Sequence, residues 1–503
     1  MSMKNIFFLW FCLSSLFLSA QKEDYIWIVG NQNQTFDTTY GGAIIDFNFH
    51  PPRATYHFRE QNMYTTNSSI CDSAGNLLFF TNGCEIAGAD DITLDNGNNI
   101  NPGTSHTLWC ETYDDGYSGG PANSIILPVP DSSGLFYLFH KRFVLYSNPP
   151  DAIIDKLYYT IIDMKQNGGK GKVMEKNTVL MSDTLSRGEI AAVKHANGKD
   201  WWLVTPRRNS NQFYIFKFTN QGVVDTFQQT IGILQGEGLG QMVFSPDGNK
   251  LFRTGRYKPV MVYHFDREAG AFTQFDTIHY EYGNQFVGEI MCALSPNNRF
   301  LYLSCRKSLY QFDLWASDVS ASQMTVAEWD GFANPFPTIF WQCQLGPDCK
   351  IYIVAGGDTR YYHVIHNSDE PGLACNVEQR GLQLPTPSGP SMPSFPNYRL
   401  GPINDPGVPC TATVGVSQPV LPIQSKPVWV YPNPANHAIT IEYTAISEEK
   451  PKVFMLFDIY GRLVKTEQLL GLEGQIQINT ENLPAGVYGY NVAGMTGKVI
   501  IQH

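Results

Sequence analysis

Met242-Val-Phe-Ser-Pro-Asp-Gly-Asn-Lys-Leu-Phe252 holds a short apolar run, a Ser-Pro-Asp-Gly-Asn turn and a second run ending in an aromatic residue. It reads as two antiparallel strands joined by a tight hairpin. Five stretches share its layout: Ile70-Cys-Asp-Ser-Ala-Gly-Asn-Leu-Leu-Phe-Phe80, Pro128-Val-Pro-Asp-Ser-Ser-Gly-Leu-Phe-Tyr137, Ala192-Val-Lys-His-Ala-Asn-Gly-Lys-Asp-Trp-Trp202, Ala293-Leu-Ser-Pro-Asn-Asn-Arg-Phe-Leu-Tyr302 and Gln344-Leu-Gly-Pro-Asp-Cys-Lys-Ile-Tyr352. The turns fall at 75, 134, 198, 248, 298 and 349, giving steps of 59, 64, 50, 50 and 51 residues. That interval belongs to β-propeller blades. An all-β fold follows.

Three further strand-like runs precede the first hairpin: Tyr25 to Val29, Ala43 to Phe47 and Ala54 to Phe58. They lack an innermost partner, and the segment Ser391 to Leu400 lacks a blade. Joined, they make a seventh, composite blade that closes the ring and removes two free sheet edges. The propeller is thus expected over residues 21–400. Residues 401–427, with Pro402, Pro406, Pro409, Pro419, Pro422 and Pro427, read as a semi-extended linker. From Val428 to residue 503, seven short strands separated by turns predict a small, immunoglobulin-like β-sandwich.

Composition narrows the partners. A formal charge of -11, from 46 acidic against 35 basic residues, argues against nucleic acid. Lys4 followed by the apolar segment Ile6 to Leu18 and then Ser19-Ala20-Gln21 has the layout of a secretory signal peptide over residues 1–20. That segment is too short to span a bilayer and no other segment is apolar enough, so no transmembrane segment is expected after signal removal. Ten cysteines agree with an oxidising destination. Cys292 and Cys305 flank one hairpin almost symmetrically and are the expected cross-strand disulfide.

The last 75 or so residues resemble the sorting domain that directs Bacteroidetes cargo to the type IX secretion system. The resemblance is carried by Val430-Tyr-Pro-Asn-Pro-Ala435, Leu456-Phe-Asp-Ile-Tyr-Gly-Arg-Leu-Val464, Leu483-Pro-Ala-Gly-Val-Tyr488 and Gly497-Lys-Val-Ile-Ile501. It implies passage through the periplasm, contact between residues 428–503 and the secretion machinery, and a mature protein that is released or attached to the outer surface. Residues 25–400 resemble secreted Bacteroidetes propellers with blades similar to WD-type and YVTN repeats. That likeness implies a fold and a destination but no activity.

Motifs for known chemistry are few. Neither a His-Glu-x-x-His site, a Gly-x-Ser-x-Gly elbow nor a Cys-x-x-Cys pair occurs in the sequence. His363 and His366 are three apart in a strand, on opposite faces, and do not chelate one metal. The loop Asp90 to Asn99 carries hard oxygen ligands but departs from the calcium-loop pattern, and reads as an ordinary polar loop. Trp27, Trp201, Trp202 and Trp341 lie in strand-like runs and read as blade core.

Aligning the blades on their turns brings out one constellation. Glu189, Glu237 and Glu289 lie where innermost strands begin; Arg207, Arg256 and Arg306 lie where second strands end. Antiparallel pairing brings these ends together, so each Glu is expected beside the Arg of its own blade on one rim of the channel. The ring is read either as ion pairs that steady the rim or as a polar ligand site. The expectation is an exported, surface-attached propeller that binds a protein or glycan without a cofactor. One rival is a polysaccharide hydrolase or lyase with Glu189 and Glu289 as acid and base; the other is a structural or adhesion component.

Overall fold

The computed structural model describes residues 21–31, 40–147, 150–236, 240–255, 259–282, 288–390, 392–410, 428–443, 453–459, 462–469, 474–492 and 495–502. The expected signal peptide lies outside them. Every expected hairpin forms. In the third blade Ala191–Lys194, Trp201–Pro206, Gln212–Thr219 and Gly222–Thr230 pair in that order, with Val193 opposite Trp202. The second, fourth, fifth and sixth hairpins grow into four-stranded antiparallel sheets in the same way, and the first into a three-stranded sheet. Inner strands read as continuous apolar runs because neighbouring blades cover both of their faces: all six residues of Trp201–Pro206 and all four of Met291–Leu294 are buried.

The turn chemistry explains the spacing. Gly75, Gly134, Gly198, Gly248, Asn298 and Cys349 all have positive φ, between 63° and 90°. A left-handed residue is required there, which glycine supplies without strain and asparagine tolerates. The two long steps have separate causes. The step of 59 holds an insertion over residues 101–123, and the step of 64 holds strands of 13 and 14 residues, Leu135–Ser147, Pro150–Asp163 and Lys172–Leu185.

The closing blade pairs Ile26–Gly30, Gly42–Asp46 and Arg53–His57. Asn67 Nδ2 donates to Ile28 O and Ser69 Oγ to Ile26 O, so Ile26–Gly30 runs counter to the innermost strand Ser68–Cys71. It therefore holds a second-strand place, and residues 392–400 fill the innermost one. Ser394 N bonds Asn67 O, Phe395 packs 6.1 Å from Trp27, and Tyr398 OH reaches Ile126 O. The composite arrangement is present in position, but its expected innermost strand is not a ladder strand. Pro393 and Pro396 have no N–H to give, so beyond the Ser394 N–Asn67 O bond the segment is held by side chains.

Residues 401–410, which composition assigns to a linker, pack on the propeller, with Ile403 N on Ala196 O and Cys410 bonded to Cys349. Beyond them, Val428–Tyr431, Ala438–Tyr443 and Gly474–Asn479 form one sheet of the C-terminal sandwich. Leu463–Gln468, Val453–Phe457, Gly486–Val492 and Met495–Ile501 form the other. Ile439, Ile441, Phe454, Leu456 and Val499 fill the core between them.

The expected Cys292–Cys305 disulfide is not formed. Cys292 stands opposite Leu303, with Met291 opposite Ser304, so Cys305 lies two residues further along. A diagonal offset of that kind separates Cα atoms by about 7–8 Å, beyond disulfide reach. The bridges present are Cys84–Cys110 and Cys349–Cys410.

Candidate functional site

Strand direction sorts the loops onto two faces. Innermost strands begin on one face and turn at the hairpins on the other. The first face therefore carries the connections 58–67, 101–123 and 185–190, and the loops near 306 and 358. Residues 394–396 lead from Asn67 through the channel, and on the hairpin face residues 397–410 cover it. Beneath them lies a cavity of about 100 Å3 lined by Gln241, Met242, Cys292, Cys343, Phe395 and Leu400, among others.

The rim carries ion pairs, arranged differently from the expectation. Glu189, 2% exposed, meets Arg253 of the next blade, with Nη2–Oε2 at 2.8 Å and Nε–Oε1 at 3.1 Å. It does not meet Arg207, which pairs with Asp183 at 3.2 Å. Glu189 sits at φ 51° just before its strand and so leaves the cross-strand register that would face Arg207. Glu289 and Arg306 do approach within one blade, at 3.9 Å, and Arg306 lies 5.3 Å over the Trp341 ring. Glu237 and Arg256 lie outside the described residues.

A buried lysine completes the seam. Lys141 Nζ donates to Ser186 O at 3.0 Å, to Gly188 O, and to Glu189 O at 3.2 Å. Burial pulls its pKa down to about 7, and the Glu189 charge only partly offsets this. Burial alone would also lower the pKa of Arg253, but Glu189 outweighs it and the value rises. Glu189 is thus an internal counter-ion to two cations. Buried against Arg253, it is closed to a ligand.

The rim also carries a cluster that the sequence reading missed. Tyr64 and Trp109 lie nearly parallel, 6.3 Å apart and inclined by 15°, and Tyr113 packs 5.5 Å from Trp109 with 55% of its surface exposed. Asp115 N bonds Trp109 O, and Cys110 ties the segment to Cys84. Burial, and then the charge of Asp115, raise the Asp358 carboxyl pKa; burial, and then the charges of Asp358 and Asp115, raise that of Tyr64. The Trp109 and Trp341 indole N–H groups have no hydrogen-bond partner among the described residues. One signal was available: the first step exceeds the 50-residue steps by nine residues, and the insertion responsible carries Trp109.

Other candidates resolve as structural. Trp27, Trp201 and Trp202 are blade core. His363 is buried, His366 bonds Glu378 at 2.7 Å, and Asp91 of the polar loop pairs with His57 at 2.6 Å. No group of three or more His, Cys, Asp or Glu among the described residues is placed to hold a metal.

Seven sheets around a plugged channel define a β-propeller, here with a C-terminal β-sandwich. Residues 429–502 match the secretion system C-terminal sorting domain, so the chain carries a type IX sorting tail and is exported to the cell surface or the extracellular space. No curated protein matches the chain. Among solved structures it is similar to a candidate 6-phosphogluconolactonase from Bacteroides uniformis, at 12% identity over 91% of this chain and 100% of that one, TM-score 0.38. It is also similar to the Cps50 (Swd1) β-propeller domain of Myceliophteria thermophila, at 11% identity over 66% and 93%, TM-score 0.37. Overlaps this low carry no argument about a ligand. The propeller assignment rests on the sheets themselves.

Proposed function

We propose that the protein is an exported, surface-attached binding module whose ligand, a glycan, lies on the face where the innermost strands begin. The observation that carries this is the Tyr64, Trp109 and Tyr113 group beside Asp115 and Asp358. Aromatic faces stack on sugar rings while carboxylates accept their hydroxyl hydrogens, the usual division of labour in a partly apolar, partly polar site. The opposite mouth is covered by residues 397–410. No cofactor enters the reading.

A second reading, hydrolysis or lysis of a polysaccharide, no longer fits Glu189 and Glu289. The first is buried against Arg253 and the second lies near Arg306. Asp358 keeps that reading alive, because a carboxyl raised by burial next to a second carboxylate is how acid and base roles are set apart. A glycan array and a polysaccharide-degradation screen of the secreted protein test both. Binding without cleavage supports the module, cleavage abolished by Asp358→Asn supports the enzyme, and neither activity overturns both. The tail is tested separately: deletion of residues 428–503 is expected to abolish secretion.

A further inference from the structure

We propose that residues 397–410 are a latched seal over the hairpin-side mouth of the channel, with the Cys349–Cys410 disulfide as the latch. This goes beyond the ligand reading and does not depend on it. The segment reaches most of the way round the ring. Arg399 binds Asp24 of the closing blade through both of its Nη atoms, at 2.7 and 2.6 Å, and Asn397 Nδ2 reaches Pro246 O at the fourth turn. Arg267 Nη2 holds Gly401 O at 2.6 Å, Ile403 N bonds Ala196 O at the third turn, and Cys410 is bonded to Cys349 at the sixth. Leu400 is buried in the core beside Val193 and Met242.

The anchoring is uneven. Met392 to Leu400 are largely buried, whereas residues 402–408 are exposed. Gly401 N–Pro406 O and Asp405 N–Pro402 O fold this stretch on itself and Arg399 Nε holds Pro409 O, but an exposed loop of this kind opens locally at less cost than the buried part, and the disulfide is its one covalent tie to the ring. The turn itself points the same way. Cys349 occupies, at φ 66°, the position where four other turns place glycine, a conformation that a side chain disfavours and that glycine would relieve. The disulfide accounts for a side chain there.

The seal covers two reporters. Cys292 and Cys343 line the cavity beneath it, and neither is more than 1% exposed. Both thiols are buried and unbridged, so a gain in their reaction with an alkylating reagent reports access. The experiment is peptide-resolved labelling of the folded, secreted protein with N-ethylmaleimide, comparing wild type, Cys349→Ser/Cys410→Ser and Cys84→Ser/Cys110→Ser. The seal predicts that Cys292 and Cys343 react at least about tenfold faster when the first pair is replaced. It predicts no change when the second pair is replaced. If the first double variant does not fold, brief reduction of folded wild type before labelling supplies the same comparison. Equal rates with and without the Cys349–Cys410 link, or ready labelling in the latched protein, would overturn the proposal.

Discussion

Arg399 and Asp24 join the two ends of the propeller by a bidentate ion pair across 375 residues of chain, with both side chains nearly buried. Pro393 and Pro396 prevent a hydrogen-bonded innermost strand, so this pair and the packing of Phe395 on Trp27 stand in for a ladder. Arg399→Ala is expected to cost about 3–5 kcal/mol, because it leaves the Asp24 carboxylate buried without its partner. The fall is read from urea midpoints; an unchanged midpoint counts against the role given to the pair.

Glu189 gives a contrast between a buried and an exposed rim charge. Glu189→Gln leaves Arg253 and Lys141 without a counter-ion, and a loss of about 3 kcal/mol or more is expected. Arg207→Ala, at an exposed partner of Asp183, should change stability by less than about 1 kcal/mol. Equal effects of the two would mean that the seam is not where the rim's electrostatic stability resides.

Lys141 makes stability depend on pH in a defined direction. Its folded pKa, about 7, lies below the ordinary 10.5, so between these values the unfolded chain binds more protons than the folded one. Stability from this group therefore rises with pH across the window from about 7 to 10.5, and the gain is lost as pH falls through 7. Urea midpoints from pH 7 to 9 should rise more steeply in wild type than in Lys141→Met. Parallel slopes would contradict the assignment.

Asp358→Asn tests the acidic half of the rim cluster. Relief of a carboxylate raised by burial and by Asp115 should leave stability unchanged or slightly higher while weakening ligand binding. A stability loss comparable to that of Glu189→Gln would instead make Asp358 part of the scaffold.

The fold was largely legible because its determinants are local. A left-handed turn residue at 75, 134, 198, 248, 298 and 349, between strands buried on both faces, is written in short stretches of chain. The sandwich strands were legible for the same reason. What was not legible depends on neighbours distant in sequence. Glu189 was expected beside Arg207 because only pairing within a blade can be read from spacing, whereas its partner Arg253 comes from the next blade. Cysteine spacing likewise does not fix connectivity: Cys349 bonds a residue 61 positions away and Cys292 bonds none. The Trp109 cluster was hidden because its members come from three separate connections that meet only once the ring closes.

The central claim, a ligand face built on the aromatic step, is tested most directly by glycan-array binding of the secreted protein and its Trp109→Ala variant, with melting temperatures measured in parallel. The account predicts that wild type binds a defined set of glycans, and that the variant loses them, by about tenfold or more in affinity, with its melting temperature unchanged. Retention of the same glycans by Trp109→Ala, or no glycan bound by wild type, would contradict it.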